Sequence, residues 1–295
     1  MTLTVNDLGP SLLFCPGDRP ERFQKAVDAA DHAILDLEDG AAPANRDMAR
    51  DAVCAYLPQA TKPTVVRINL PATARGMADA EAVLAAGAKL IMIPKVESVA
   101  DIEAIAALGN AILIAIVESA RGVEALTDIL SHPAVAGITW GPYDLAADMG
   151  MRKVRDSDNR LLPPLELARN RLLIAAAAAR KGAIDTVTVE VSNPDLMIRE
   201  AREAADLGFF AKMCIHPKQV QIIRDGFRPT DAEITQARNL IAAGDAAGNG
   251  ALLYEGEMVD EPILKRARKI LQAAQARRSN DGLLVDGRVV HSGEI

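Results

Sequence analysis

Eight short apolar runs, each followed by a stretch of helical periodicity, restrict this chain more than any other feature. The runs cover residues 11–16, 33–38, 64–69, 89–95, 111–118, 137–141, 184–190 and 209–215. The helical stretches cover 22–30, 45–57, 76–86, 98–107, 121–131, 164–181, 194–206 and 217–225. The runs are near-continuously apolar rather than alternating, as expected of parallel strands buried on both faces. Eight strand–helix pairs predict an α/β fold, a TIM (β/α)8 barrel. An open, doubly wound sheet is the alternative; against it, no GxGxxG follows the first run.

At 295 residues the chain holds a barrel over 1–228 with a remainder to place. Thr230, with Glu233 three residues on, reads as the start of a further helix to about 243. A Gly/Asp/Asn-rich linker follows from Gly244 to Gly250, and a last helix is predicted over 261–277. This extension, 229–277, is too small for a core of its own and is expected to lie on the barrel or on a neighbouring subunit. The tail, 278–295, carries Asp286-Gly287, a candidate hairpin turn. Residues 142–163 form a longer connection than most, and long loops after barrel strands tend to be functional.

The net charge of -7 argues against non-specific nucleic-acid binding. Cys15, Cys54 and Cys214 show no paired spacing, which fits a reducing cytoplasm. The N-terminus lacks the basic and apolar regions of a signal peptide. No apolar stretch reaches the ~18 residues that a membrane span needs.

The acidic residues point to the chemistry. Glu38 and Asp39 close the second run, Glu118 closes the fifth, and Asp144 follows the sixth by three residues. Carboxylates gathered at one rim of a barrel are costly unless a cation holds them. Glu118 and Asp144 are therefore candidate ligands of Mg²⁺ or Mn²⁺, with no histidine nearby to suggest Zn²⁺. Each could instead cap the helix that follows it. Arg67, ending the third run, needs an anionic partner if buried. That partner is either Glu38 or Asp39, or an oxyanion of the substrate. Lys95 ends the fourth run and could form a Schiff base; an ion pair with Glu97 or Glu118 is favoured. Arg19, Arg22 and Lys25, where the first run leads into its helix, could bind phosphate groups or form a solvated helix start. His216 is a candidate base or a structural residue, and Trp140 is expected to pack beside the site. Asp260 reads as an N-cap of the last helix.

These stretches resemble the HpcH/HpaI aldolase and citrate lyase β-subunit family, most closely its stand-alone citrate-lyase-β-like members. The resemblance is carried by Leu12-Leu13-Phe14-Cys15-Pro16-Gly17-Asp18-Arg19-Pro20, Leu35-Asp36-Leu37-Glu38-Asp39-Gly40 and Val66-Arg67-Ile68-Asn69. It continues in Pro94-Lys95-Val96-Glu97-Ser98, Ile116-Val117-Glu118-Ser119, Trp140-Gly141-Pro142-Tyr143-Asp144, Cys214-Ile215-His216-Pro217 and Gly256-Glu257-Met258-Val259-Asp260.

The resemblance implies a TIM barrel whose extension serves as a lid on an adjacent subunit, in a trimer or hexamer. It implies Mg²⁺ on Glu118 and Asp144, coenzyme A phosphates on Arg19 and Lys25, and Glu38 and Asp39 around the metal's water. It makes Arg67 the contact for the enolate and Asp260 the catalytic acid delivered by a neighbour. The activity implied is reversible retro-Claisen cleavage of a citramalyl-, malyl-, citryl- or hydroxymethylglutaryl-type CoA thioester to a keto acid and a short acyl-CoA. The alternatives are a class II pyruvate aldolase acting on free 2-keto-4-hydroxy acids, a citrate lyase β subunit using an acyl-carrier protein, and a barrel without catalysis. Two departures stand out: the tail from Ser279 onward, and Glu190 where many relatives carry aspartate.

Overall fold

The structure is a computed structural model and describes residues 8–248 and 251–281. Strands β1 (Ser11–Pro16), β2 (His32–Asp36), β3 (Val65–Arg67), β4 (Leu90–Ile93), β5 (Ile112–Val117), β6 (Val135–Trp140), β7 (Gly182–Asp185) and β8 (Ala211–Cys214) pair in parallel in chain order. β8 returns to β1 through Ser11↔Lys212 and closes the barrel. Around it run α1 (Phe23–Ala29), α2 (Arg46–Tyr56), α3 (Ala74–Ala85), α4 (Val99–Ala106), α5 (Ala120–Glu124), α6 (Leu126–Ser131), α7 (Pro142–Asp148), α8 (Pro163–Ala179), α9 (Pro194–Leu207) and α10 (Pro217–Gly226). The chain is a TIM barrel.

Alternation along the strands sorts two layers. Leu12, Ile34, Val65, Met92, Ile114, Ile184 and Met213 meet in one buried cluster. Residues from so many strands can meet only inside the closed barrel. Their neighbours Leu13, Leu35, Val66, Ile91, Ala183 and Cys214 pack outward against Val53, Ile102, Leu172 and Ile223 of the helices. Each fully buried aliphatic side chain contributes about 1.5–3 kcal/mol. The same parity decides which polar residues reach the mouth: Asp36 continues Ile34, Arg67 continues Val65, and Glu118 continues Ile114 and Ile116.

Local chemistry sets the helix starts. Proline occupies the first position of α7, α8, α9 and α10, where its missing N–H is harmless and its fixed φ is already helical. Ser119 caps α5 by accepting from the Gly122 amide at 3.2 Å.

Three elements depart from the sequence reading. The seventh strand was expected over 184–190 but spans Gly182–Asp185. The β-branched residues after it serve a loop instead, because polar bonds claim its backbone. The Lys212 ammonium donates to the Thr186 carbonyl at 2.7 Å, and the Gln219 amide to the Thr188 carbonyl at 2.7 Å. The helix expected over 121–131 is broken at Ala125 into α5 and α6. The long connection after β6 opens with a helix, α7, which begins before Asp144 rather than after it.

A second compact unit begins at Arg228. It comprises α11 (Asp231–Ala246), a hairpin of β9 (Leu252–Tyr254) and β10 (Glu257–Val259), and α12 (Glu261–Asp281). Thr230 and Glu233 form the reciprocal cap of α11, with the Glu233 amide donating to the Thr230 hydroxyl at 3.2 Å and the Thr230 amide to the Glu233 carboxylate at 2.6 Å. The helix outruns its expected end at 243 because Gly244 is a packing residue, not a linker. A Cβ there would fall 2.7 Å from Leu264 of α12. The hairpin turn places Glu255 and Gly256 at φ 51° and 86°, both left-handed, as a type I′ turn requires. The candidate hairpin at Asp286-Gly287 lies outside the described residues. Among the described residues no helix is long and apolar enough to cross a membrane.

Candidate active site

The mouth of the barrel is organised by a fork of salt bridges. Asp36 is the last residue of β2 and faces Arg67 in register on β3. The Arg67 Nε and Nη2 donate to its two carboxylate oxygens at 2.7 and 2.5 Å. The Glu38 and Gly40 amides also donate to Asp36, at 3.0 and 2.8 Å. The chain can turn so tightly over this carboxylate only because residue 40 is glycine; a Cβ would lie 2.4 Å from the Asp36 Oδ2. The remaining Arg67 nitrogen, Nη1, lies 3.0 Å from the Glu38 Oε2, and the guanidinium sits 4.8 Å from the Phe14 ring centroid. Burial opposes the Arg67 charge, but Asp36, Glu38 and Asp39 outweigh it and keep its proton affinity above the ordinary value.

The sequence reading leaves Arg67 between an ion pair with Glu38 or Asp39 and a contact with a substrate oxyanion. Glu38 is confirmed as a neighbour, but the bidentate partner is Asp36, which that reading passed over inside an apolar run. Asp39 is exposed. A legible signal existed: Asp36 and Arg67 are two charges embedded in adjacent apolar runs, and buried charges pair.

Across the mouth, Glu118 is buried just past the end of β5, and Asp144 projects from the first turn of α7 with 47% of its side chain exposed. Neither caps its helix; Ser119 and Gly141 hold those positions. The Lys95 ammonium nitrogen lies between them, 4.0 Å from Glu118 and 3.8 Å from Asp144, and donates to Glu38 at 2.6 Å. The Lys95 amide donates to the Glu118 Oε1 at 3.1 Å. Gly141 flanks the other oxygen so closely that a Cβ would lie 2.4 Å from it. Burial, then the Asp144 and Glu38 charges, push the Glu118 carboxyl up to about 7, although Lys95 and Arg67 pull against them. Glu38 is likewise raised, first by burial. Burial opposes the Lys95 charge too, but Glu38, Glu118 and Asp144 raise its affinity for a proton. Lys95 thus makes an ion pair, as favoured from sequence: of the two partners expected, Glu118 lies at 4.0 Å, while Glu38 at 2.6 Å, rather than Glu97, is the nearer one.

Glu118 and Asp144 fit a hard divalent cation. They offer carboxylate oxygens, and one of them is buried among like charges that a cation would relieve. Among the described residues no group of three His, Cys, Asp or Glu is gathered as a closed metal cage. The remaining coordination positions would therefore fall to water and ligand oxygens.

The other candidates are scattered. Arg19, Arg22 and Lys25 are exposed around α1. Arg22 lies in the turn before that helix rather than on its face, and Arg19 and Arg22 pair loosely with Asp18 and Glu21, each at 3.8 Å. His216 caps α10, its Nδ1 accepting from the Lys218 amide at 3.1 Å. Glu190 is exposed and accepts from the Ser192 hydroxyl. Asp260 precedes α12 in the second unit, and its main-chain carbonyl accepts from the Ile263 and Leu264 amides, each at 3.1 Å. Trp140 turns outward and donates to Asp185 at 3.1 Å. Behind it, a cavity of about 570 Å³ between the barrel wall and α8 and α9 is lined by Arg155, Arg169, Asp185, Glu200 and Lys212. These charges pair with one another.

Residues 10–217 match the HpcH/HpaI aldolase/citrate lyase family. The chain belongs to this family. The citrate lyase subunit beta-like protein of Mycobacterium tuberculosis is 39% identical over 272 residues, covering 92% of this chain and 98% of that one. The L-malyl-CoA/beta-methylmalyl-CoA lyase of Cereibacter sphaeroides is 34% identical, with 89% and 93% covered. The (3S)-malyl-CoA thioesterase of the same species is 35% identical, with 90% and 94% covered. Among solved structures, CitE of Mycobacterium tuberculosis in complex with magnesium, acetoacetate and coenzyme A superposes with a TM-score of 0.85 at 39% identity, covering 92% of this chain and all of that one. Membership in the HpcH/HpaI and citrate lyase family makes the chain a carbon–carbon lyase by class.

Proposed function

We propose that this lyase cleaves or forms a carboxylated 3-hydroxyacyl-CoA thioester of the malyl, citramalyl, citryl or hydroxymethylglutaryl type, yielding a keto acid and a short acyl-CoA. The observation that carries the reading is the facing arrangement of Glu118 and Asp144 against the Arg67 fork at one rim. Glu118 and Asp144 would hold Mg²⁺, which when bound would supply Lewis-acid polarisation of the substrate. The CoA and keto acid ligands of the Mycobacterium CitE structure support the same substrate class.

Arg67 stabilises the enolate oxygen of the departing acyl-CoA. A guanidinium has five N–H donors; Asp36 engages two and Glu38 lies against a third nitrogen, so the fork fixes the plane and leaves donors for the substrate. Glu38, held by both Arg67 and Lys95, completes a fixed polar wall, and Asp39 adds negative charge at the rim. Arg19, Arg22 and Lys25 receive the phosphates of coenzyme A; their exposure suits a large anion bound at the surface. Asp260, delivered by a neighbouring subunit in a trimer or hexamer, protonates the enolate carbon, and acts as the base in the reverse direction. The extension that carries it serves as the lid that excludes water.

A screen of malyl-, citramalyl-, citryl- and hydroxymethylglutaryl-CoA with Mg²⁺, following keto acid release, is expected to find one turned over. Turnover of free hydroxy-keto acids alone would favour the pyruvate aldolase alternative. The thioesterase relative supports a second reading, hydrolysis of the thioester; release of free CoA without keto acid would identify it.

A further inference from the structure

We infer that Lys95 is a tethered counter-cation which occupies the charge position of the metal when the metal is absent, and thereby weakens Mg²⁺ binding. The inference rests on the reading that Glu118 and Asp144 take a divalent ion.

Three observations lead to it. First, Lys95 is built into place at a cost. Its φ is 51°, a left-handed conformation that a residue with a Cβ rarely adopts. That kink turns the chain just past β4, lets the Lys95 amide hold the Glu118 Oε1 at 3.1 Å, and still allows Val96 to bond the Ile116 carbonyl at 3.0 Å. Second, one ammonium nitrogen lies within 4.0 Å of Glu38, Glu118 and Asp144 together. Third, the side chain is not locked. It is 39% exposed and donates one hydrogen bond to a side chain, that to Glu38. Arg67, by contrast, is forked between two carboxylates. A lysine is a compact charge on a flexible stem, so it can retreat toward Glu38 while a second cation takes the other two carboxylates.

The consequence follows from the sign of the charge. In the metal-free protein Lys95 relieves the repulsion among three acids. Once Mg²⁺ is present, the ammonium is a like charge a few ångströms away. A lysine that merely supported the loop would, on removal, leave the affinity unchanged or weaken it. A counter-cation would, on removal, tighten it. Lys95 is a positioning residue in this account, since it acts through the two acids.

The test is calorimetric titration of Mg²⁺ into wild type, Lys95→Met, Lys95→Gln and Lys95→Arg. All four proteins are titrated in the same buffer, well to the alkaline side of neutrality, so that protons do not compete with the ion. Lys95→Met and Lys95→Gln are expected to bind Mg²⁺ on the order of ten-fold more tightly, because a unit charge near the ion has been removed. Lys95→Arg is expected to bind as wild type does. The metal-free melting temperature should fall in the two neutral variants, and added Mg²⁺ should raise it by more than in wild type. Two neutral variants are used so that one that folds by circular dichroism decides the matter. Equal or weaker Mg²⁺ binding in a folded neutral variant overturns the inference. Absence of Mg²⁺ binding by wild type itself would instead remove the metal reading beneath it.

Discussion

At the scale of single residues, the site is a set of charges whose partners decide what each can do. Asp36 is the residue on which Arg67 depends. Asp36→Ala removes the bidentate partner and leaves a mostly buried guanidinium with Glu38 alone; loss of one partner of such a pair costs about 3–5 kcal/mol. Urea unfolding should register that loss, and CoA-thioester turnover should fall with it. Glu118 makes a prediction of opposite character. Its carboxyl holds a proton up to about 7 in the folded chain against an ordinary value of 4.5. Between these values the folded state binds the proton and the unfolded state does not. The contribution is therefore fully present below about 4.5 and is lost as pH rises toward 7, by about 2–3 kcal/mol in the metal-free protein. The difference between wild type and Glu118→Gln across that range isolates the effect; equal slopes would refute it. Of these residues, sequence alone brought out Glu38, Arg67, Glu118 and Asp144, because charge at the end of an apolar run is visible. The Asp36 fork was hidden by its place one step earlier in the run. Lys95 was legible at the end of the fourth run, but its contact with Glu38 was not, because a left-handed backbone at a lysine leaves no mark in composition.

At the scale of elements, strand ends are held from outside the barrel as well as from within. Trp140 ends β6, and its indole bonds Asp185 at the end of β7. Burial works against the Asp185 charge, yet Lys212 and Arg169 hold it at about 2. Asp185→Ala would take from both cations the buried carboxylate they share, leaving Arg169 with Glu203 and Lys212, which is 1% exposed, with Glu200 at 3.8 Å. A loss of about 3–5 kcal/mol is expected in thermal or urea unfolding; a loss under ~1 kcal/mol, the scale of an exposed pair, would show that water already screens the cavity. Gly141, which follows Trp140, makes a sharper test of the site. Gly141→Ala places a methyl against the Glu118 Oε2, so Mg²⁺ affinity should fall by more than ten-fold while the unfolding midpoint shifts little. The strand pattern was legible because both faces of each strand are buried. The seventh strand was overread because Val187 and Val189 look like strand residues, while the bonds from Lys212 and Gln219 that make them a loop come from distant parts of the chain.

At the scale of the whole molecule, the proposed chemistry draws on both the barrel and the second unit. The barrel mouth carries the acids and Arg67; the second unit carries Asp260. If active sites are shared between subunits, Asp260→Ala and Arg67→Ala, each inactive alone, should regain activity when mixed as verified hetero-oligomers. No recovery would count against a shared site. Eight strand–helix repeats made the barrel readable from sequence, but no repeat or motif spacing encodes where a separate unit docks. The account as a whole stands on one claim, that Glu118 and Asp144 together hold a divalent cation. The direct measurement is calorimetric titration of Mg²⁺ into wild type, Glu118→Gln and Asp144→Asn, with folding checked by circular dichroism. The account predicts saturable binding to wild type and a loss on the order of a hundred-fold or more in each folded variant, as removal of one of two anionic ligands requires. Wild-type affinity retained in either variant would contradict it.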